Sequence, residues 1–430
     1  MRDRRTLRAG ILVLALSGIL AACAGDAATT APRAGAIPTG HSQSGQAPSA
    51  GSSLLPSLET GIPAPGGAGG PAGSSGDPAP TTVPTDPAPG TNASSGPGTS
   101  VSPPPGATAA PSPATPGTTD AGPGPATSGQ VRLMAIGDVM LARSIGKMMR
   151  AQGPGVPFAG VQGVLDQADL LAVNLECTIA TTGTAAHKHY TFRAPPVGAD
   201  ALQLAGVDVA GQANNHALDF GPAALAQTRR LLTDRGIGVV GAGPDRAAAH
   251  APLILVRNGL RVAFLAYVAA FSEVSGFNTG SWAATATRPG LAIAKTGAIT
   301  ADVHAAKARA DVVVVLLHAG YEGVGTPNGQ QRDFAKAAIA AGASLVIGAH
   351  PHVLQGYHRS GGTLIAYSTG NFVFDLMTGP EADTAILDVT LTAAGVTSLR
   401  WVPVHLDARG LPKLAHGKTA ARILKRLHPI

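Results

Sequence analysis

The sequence predicts an α/β fold over residues 131–430, and three observations predict it. Short β-branched apolar runs alternate there with alanine-rich helical patterns. Six of these runs deliver polar, hydrogen-bonding or imidazole side chains just after their carboxyl ends. An abrupt change of composition near residue 131 opens a stretch long enough for one large core. In α/β folds strand, loop and helix follow one another, and ligands collect outside the carboxyl ends of the strands.

Residues 1–22 read as an export signal. Arg2, Arg4, Arg5 and Arg8 precede an uncharged apolar stretch from Ala9 to Ala22 that is too short to span a bilayer comfortably. The stretch ends in Leu20-Ala21-Ala22-Cys23, which resembles the lipobox of bacterial lipoproteins. That resemblance implies cleavage before Cys23, lipidation of Cys23, and a mature protein anchored at a membrane face outside the cytoplasm. Cys177 is then the one cysteine left, so no disulfide forms within the mature chain and burial must hold the core together.

Residues 23–130 follow as a lipid-anchored linker of Pro, Gly, Ala, Ser and Thr, as in GDPAPTTVPTDPAPGTNASSGPGTSVSPPPG. Large apolar side chains are almost absent, so ordering entropy goes uncompensated and a disordered, partly polyproline-like tether is expected. The chain has a formal net charge of +6, with Lys413, Lys418, Arg422, Lys425 and Arg426 crowding its C-terminal end. Outside a cell, a basic balance points to anionic polymers or lipid headgroups and away from nucleic acid, or it serves solubility alone.

Within residues 131–430 one event recurs. V-R-L-M-A-I (131–136) runs into Gly137-Asp138, D-L-L-A-V (169–173) into Asn174-Leu175-Glu176, and V-D-V-A (207–210) ends near Asn214-Asn215-His216. Later V-V-V-V-L-L (312–317) ends at His318, S-L-V-I (344–347) at His350-Pro351-His352, and L-I-A-Y-S (364–368) at Gly370-Asn371. Between them D-F-A-K-A-A-I-A-A-G-A (333–343) reads as a helix stopped by Gly342. The topology makes the strand-end residues converge. Asp138, Glu176, Asn215, His318, His350 and His352 are oxygen and imidazole donors without a thiolate, which suits Mn, Fe or Zn and not Ca or Mg alone. A carboxylate bridging two such ions, about 3.5–4 Å apart, would activate a water for attack on a phosphoryl centre. Arg143, in D-V-M-L-A-R, offers its planar fork either to an anionic substrate group or to a structural salt bridge.

The motifs G-D-V-M-L-A-R, N-L-E, A-N-N-H-A-L-D-F-G, H-A-G-Y-E, G-A-H-P-H-V-L-Q-G and Y-S-T-G-N-F-V-F-D, in that order from about Arg132 to Pro403, resemble the CapA-type bacterial capsule synthesis family. That family is associated with poly-gamma-glutamate and related to the calcineurin-like metallophosphoesterases. The resemblance implies a four-layer α/β/β/α sandwich of the metallophosphoesterase type, two sheets flanked by helices, with the site at one edge. It implies that Asp138 is the first aspartate ligand, Glu176 the bridging carboxylate, Asn215 a metal-binding amide, and His318, His350 and His352 the metal histidines. It implies, too, that His216 stabilises or protonates the leaving group. Two departures stand out. Where metallophosphoesterases usually carry Asp-x-His, this chain has Asp138-Val139-Met140, and a thioether is a poor ligand for hard ions. Glu176 replaces the usual aspartate and is one methylene longer, so either one or two divalent ions are expected.

Five further positions stay open. Glu322, in H-A-G-Y-E, either orients substrate or supports a ligand, or is a solvated loop carboxylate. Asp219 either fixes the His216 ring or caps a helix starting near Pro222. Asn371 either bonds loop backbone or contacts substrate, and His187 and His189 read as a loop near the mouth of the site. Two functions of different class follow. One is a metal-dependent hydrolase acting on a phosphoester or an anionic envelope polymer. The other is a factor that binds such a polymer, poly-gamma-glutamate included, during assembly or export without turnover, with capsule-synthesis membrane proteins as partners.

Overall fold

The computed structural model describes residues 129–430 apart from Val274; the export signal, Cys23 and all but the last two residues of the expected tether lie outside the described residues. In chain order the strands of the two main sheets begin with β1 (Val131–Val139), β2 (Leu170–Leu175), β3 (Val209–Gly211) and β4 (Gly238–Val240). There follow β5 (Leu253–Arg257), β6 (Leu260–Val268), β7 (Val312–His318), β8 (Leu345–Ala349), β9 (Tyr357–Ser360) and β10 (Thr363–Ala366). The last are β11 (Asn371–Val373), β12 (Asp383–Thr392), β13 (Gly395–Leu406) and β14 (Pro412–Leu414). An eight-stranded sheet has the order β14-β13-β12-β1-β2-β3-β4, with β11 also paired to β1. A six-stranded sheet has the order β9-β10-β8-β7-β6-β5.

The parallel centre of each sheet explains the continuous apolar runs, because such strands are covered on both faces. Along β1, Leu133 and Ala135 join the core between the sheets, whereas Met134 and Ile136 join the core under α1 (Arg143–Gln152), α2 (Val197–Ala205) and α3 (Gly221–Thr233). Along β7, Val312, Val314 and Leu316 face the inter-sheet core. Val313, Val315 and Leu317 pack under α4 (Thr296–Lys307) and α5 (Gly329–Ala340). Helices, sheet, sheet and helices give the expected four layers. Among the described residues no helix is long and apolar enough to cross a membrane.

The helix expected over residues 333–343 begins earlier. Asn328 caps it by accepting from the Gln331 amide nitrogen, and Gln331 reciprocates, so the polar segment before Asp333 becomes the first turn of α5. Gly342 follows its end with φ 106°, the left-handed conformation that stops a helix. The basic C-terminal segment docks on the domain as α6 (Gly417–Arg426). Ile423 and Leu427 pack against Leu354, Ala385 and Trp401, while Arg422 donates to Asp383 at 2.9 and 2.7 Å. Burial opposes ionisation of Asp383, yet bonds from Arg422 and His405 outweigh it and hold the carboxyl below its ordinary value.

Two glycines let the site-bearing strands come close to their neighbours. A Cβ on Gly137 would lie 1.8 Å from the Gly370 carbonyl oxygen, and one on Gly348 would lie 1.9 Å from that of Tyr367. These are backbone atoms that cannot swing away. Gly348→Ala is therefore expected to lower stability by about 2–3 kcal/mol, the cost of overpacking, read by chemical denaturation; an unchanged midpoint would refute the close approach.

Candidate metal centre

The carboxyl ends of both parallel sheet centres meet at one edge. Asp138 leaves β1 fully buried, and its Oδ1 accepts from Asn174 Nδ2 at 2.7 Å. Its Oδ2 accepts from the His350 backbone nitrogen at 3.3 Å and lies 3.2 Å from His352 Nδ1. Glu176, just past β2, is also fully buried, with His352 Nε2 3.6 Å from its Oε1. His318 ends β7 between two amides, Asn174 Nδ2 at 3.2 Å from Nδ1 and Asn215 Oδ1 at 2.9 Å from Nε2.

Potential donor atoms gather in two groups, Asp138 with Glu176 and His318, and Glu322 with His350 and His352; within each group they lie within 4.8 Å of one another. Glu176 Oε1 and His350 Nδ1 are buried without a hydrogen-bond partner. A buried acceptor left open costs about 1–3 kcal/mol, and a cation placed between these two atoms would satisfy both. The donors are nitrogen and oxygen; the Cys177 thiol lies apart in the helix-side core, pushed up to about 12 by burial. Met140 is likewise turned into that core, its sulfur accepting from the Ala142 nitrogen at 3.1 Å. The residues present fit a divalent ion of the Mn, Fe or Zn type.

The electrostatics agree. Burial works against Asp138, but the bonds and charge of His352, with bonds from Glu176 and Asn174, hold its carboxyl below the ordinary value. Burial, then the neighbouring Asp138, pushes Glu176 well above the carboxylate range. Burial and the other imidazoles depress His318 well below its ordinary value and bring His350 to about 3, so both rings are neutral at neutral pH, the form that metal ligation requires. His352 is raised, the Asp138 partner outweighing burial.

A scan of known families matches residues 132–376, more than half of the chain, to the bacterial capsule synthesis protein PGA_cap. The chain belongs to this family. The PGA biosynthesis protein CapA of Bacillus subtilis is 31% identical over 274 residues, 63% of this chain and 70% of that protein. The capsule biosynthesis protein CapA of Bacillus anthracis is 30% identical over 292 residues, 66% and 69% of the two chains. A probable polyglutamine synthesis accessory protein of Mycobacterium tuberculosis is 31% identical over 285 residues, 61% and 73%. Among solved structures, that of TT1561 of Thermus thermophilus aligns with 62% of this chain and 100% of its own at 12% identity and a TM-score of 0.34.

In this PGA_cap domain the open positions resolve into contacts. Asp219 faces the ring, its Oδ2 lying 2.7 Å from His216 Nδ1, and it does not cap α3, whose N-cap is Phe220. Burial lowers His216 despite the Asp219 carboxylate, and Phe192 stacks on the ring at 4.1 Å. Arg143 is committed to Asp375, with its guanidinium over Phe192 and Phe374. Asn371 is fully buried; its Oδ1 faces His352 Nδ1 at 2.8 Å, and its amide donates to the His352 and Glu381 carbonyls. Glu322 is exposed at the rim.

Sequence reasoning passed over Lys188. His187 and His189, expected in a loop near the mouth of the site, are both exposed, while the side chain of Lys188 between them is completely buried. Lys188 Nζ bonds the Asn215 carbonyl, lies 3.0 Å from Asp219 Oδ1 and 3.1 Å from Glu273 Oε1, and sits 5.1 Å from both the Phe277 and Trp282 rings. Glu273 in turn accepts from Asn215 Nδ2 at 3.1 Å. Asn174 and Asn214 were also missed as site residues, although both lie in quoted motifs. Asn214 donates to Asn174 Oδ1 at 3.2 Å and accepts from the His216 nitrogen at 3.1 Å.

His350 and His352 flank Pro351 with φ of 95° and 58°, a region that non-glycine residues rarely enter and that costs about 1–3 kcal/mol each. In metal-free buffer, His350→Gly is expected to be more stable than His350→Ala by about 1 kcal/mol, because glycine adopts that backbone without a Cβ clash. Equal denaturation midpoints for the two variants would contradict the strain.

Proposed function

We propose that this PGA_cap protein acts outside the cytoplasm, anchored by a lipid on Cys23, in the formation of capsular poly-gamma-glutamate or a similar anionic envelope polymer, and that it does so as a metal-dependent hydrolase. The observation that carries the reading is the meeting of Asp138, Glu176, Asn215, His318, His350 and His352 at one sheet edge, with Glu176 Oε1 and His350 Nδ1 left unpartnered. The names printed for the Bacillus relatives support the capsule polymer as the setting.

In this reading Asp138, Glu176, Asn215, His318, His350 and His352 would hold the metal. A divalent ion there would supply an activated water and neutralise charge on an anionic substrate. Asp219 keeps the proton of His216 on Nδ1 and fixes the ring, so Nε2 is the atom that would take a proton from the attacking water and pass it to the leaving group. Lys188 ties Asp219 to Glu273 and the Asn215 carbonyl, holding the ring's support and the amide ligand in one frame. Arg143 would meet an anionic group only through the exposed part of the guanidinium that pairs with Asp375, and Glu322 stands exposed beside His350 and His352. The second reading, a polymer-binding factor without turnover, is favoured by Met140, which takes the place of a histidine and is buried away from the ligands.

The purified protein is expected to contain Mn, Fe or Zn and to hydrolyse an aryl phosphomonoester, an aryl phosphodiester or poly-gamma-glutamate. His216→Ala should keep the metal and lose about 100-fold or more in kcat, as general acid–base contributions do. Metal without turnover on any of these would favour the binding factor, and turnover unaffected by His216→Ala would remove His216 from the chemistry. For the anchor, Cys23→Ser should move the protein from the membrane fraction to the soluble fraction and abolish labelling by a palmitate analogue; unchanged membrane association would overturn it.

A further inference from the structure

We infer that Glu322 is a metal ligand of this site, taking over the coordination that Met140 cannot provide. The inference rests on the metal-dependent reading above and assigns it a residue. Three observations converge. Glu322, His350 and His352 form a group whose donor atoms lie within 4.8 Å of one another, separate from the Asp138, Glu176 and His318 group. His350 Nδ1 is buried and has no hydrogen-bond partner, so one imidazole of the Glu322 group has a free donor atom. Met140 lies in the helix-side core with its sulfur engaged by the Ala142 nitrogen, so β1 contributes Asp138 alone.

The loop that carries Glu322 is fixed against the turn that carries the histidines. Ala319 donates to the Ala349 carbonyl at 3.1 Å, Gly323 to the Pro351 carbonyl at 2.9 Å, and Gln355 Nε2 to the Val324 carbonyl at 2.8 Å. These bonds bracket Glu322 on both sides and register it against His350 and His352. Gly320, at φ 124°, turns the chain where a Cβ would meet Pro351 Cγ at 2.9 Å, so the loop lies directly on the Pro351 turn. A carboxylate with two imidazoles is a common donor set for Mn, Fe and Zn. Glu322 is exposed whereas Asp138, Glu176 and His318 are buried, so an ion held by Glu322 would be the more accessible to solvent.

The test is metal stoichiometry and affinity, without reference to turnover. The purified full chain is stripped with chelator, titrated with Mn or Zn, and the ions per chain are counted by equilibrium dialysis and elemental analysis, with circular dichroism to confirm the fold. The wild type should bind two ions. Glu322→Gln should lose one, or bind it about tenfold or more weakly, and Glu322→His, which restores a ligand, should recover it. A single wild-type ion whose affinity falls as much in Glu322→Gln would also assign Glu322 to the ligand set. Unchanged stoichiometry and affinity in Glu322→Gln would overturn the assignment while leaving the metal site standing. A wild type that binds no ion would overturn both.

Discussion

Asp138 places a carboxylate where the two sheets meet, and much of the site follows from what it takes to hold it there. Taking a carboxylate out of water costs several kcal/mol even after relaxation, unless bonds and charge replace the lost solvent. Asp138 receives Asn174 from β2, the His350 backbone nitrogen from beyond β8, and the His352 ring. Both sheets are thus tied to one group. The His352 turn is held there at positive φ, and Asn371 from β11 meets the same ring nitrogen, Nδ1, that faces Asp138. Strain at His350 and His352 is the cost of aiming both rings at the same edge.

Glu176 shows what this arrangement leaves undone. Asp138 secures its partners, and the second carboxylate, buried beside it, is driven toward the neutral form by burial and by that neighbour's charge. Its Oε1 finds no donor. Two carboxylates and neutral imidazoles packed at one sheet edge form a set in which a cation relieves both the repulsion and the open acceptor. Whatever binds only the folded state also stabilises it by mass action, so a cation bound here would raise fold stability.

The strand-end residues were legible because parallel strands buried on both faces are written as unbroken apolar runs, and the first polar side chain after each run marks the edge. Val312–Leu317 followed by His318 is the clearest case. The four layers were legible only through the motif resemblance, since an apolar run does not say which sheet it joins. The antiparallel pair β12 and β13 carries alternating polar residues at the sheet's other side and was not read at all. Lys188 was invisible because its segment has no regular period: nothing in His187-Lys188-His189 says that the middle residue turns inward. Arg143 and Asp219 were legible as chemistry but not as partners. The sequence separation from Arg143 to Asp375 hides their pairing, and the three residues from His216 to Asp219 suit a ring contact and a helix cap alike.

Lys188 also bears on how the site is framed. Its loop and the loop carrying Glu273 meet over Asn215, and neither belongs to a strand of the two sheets. Burying one lysine between two carboxylates and two aromatic faces leaves few alternatives for any of them: removing a partner would strand a charge, which costs about 3–5 kcal/mol. The network therefore fixes loop geometry more than it adds net stability. Lys188 bonds the backbone carbonyl of Asn215, whose side chain reaches His318, and the Asp219 carboxylate that faces His216, so the two rings keep a common register. The His216 ring is fixed by Asp219 and Phe192, and the buried lysine joins that support to Asn215 and Glu273.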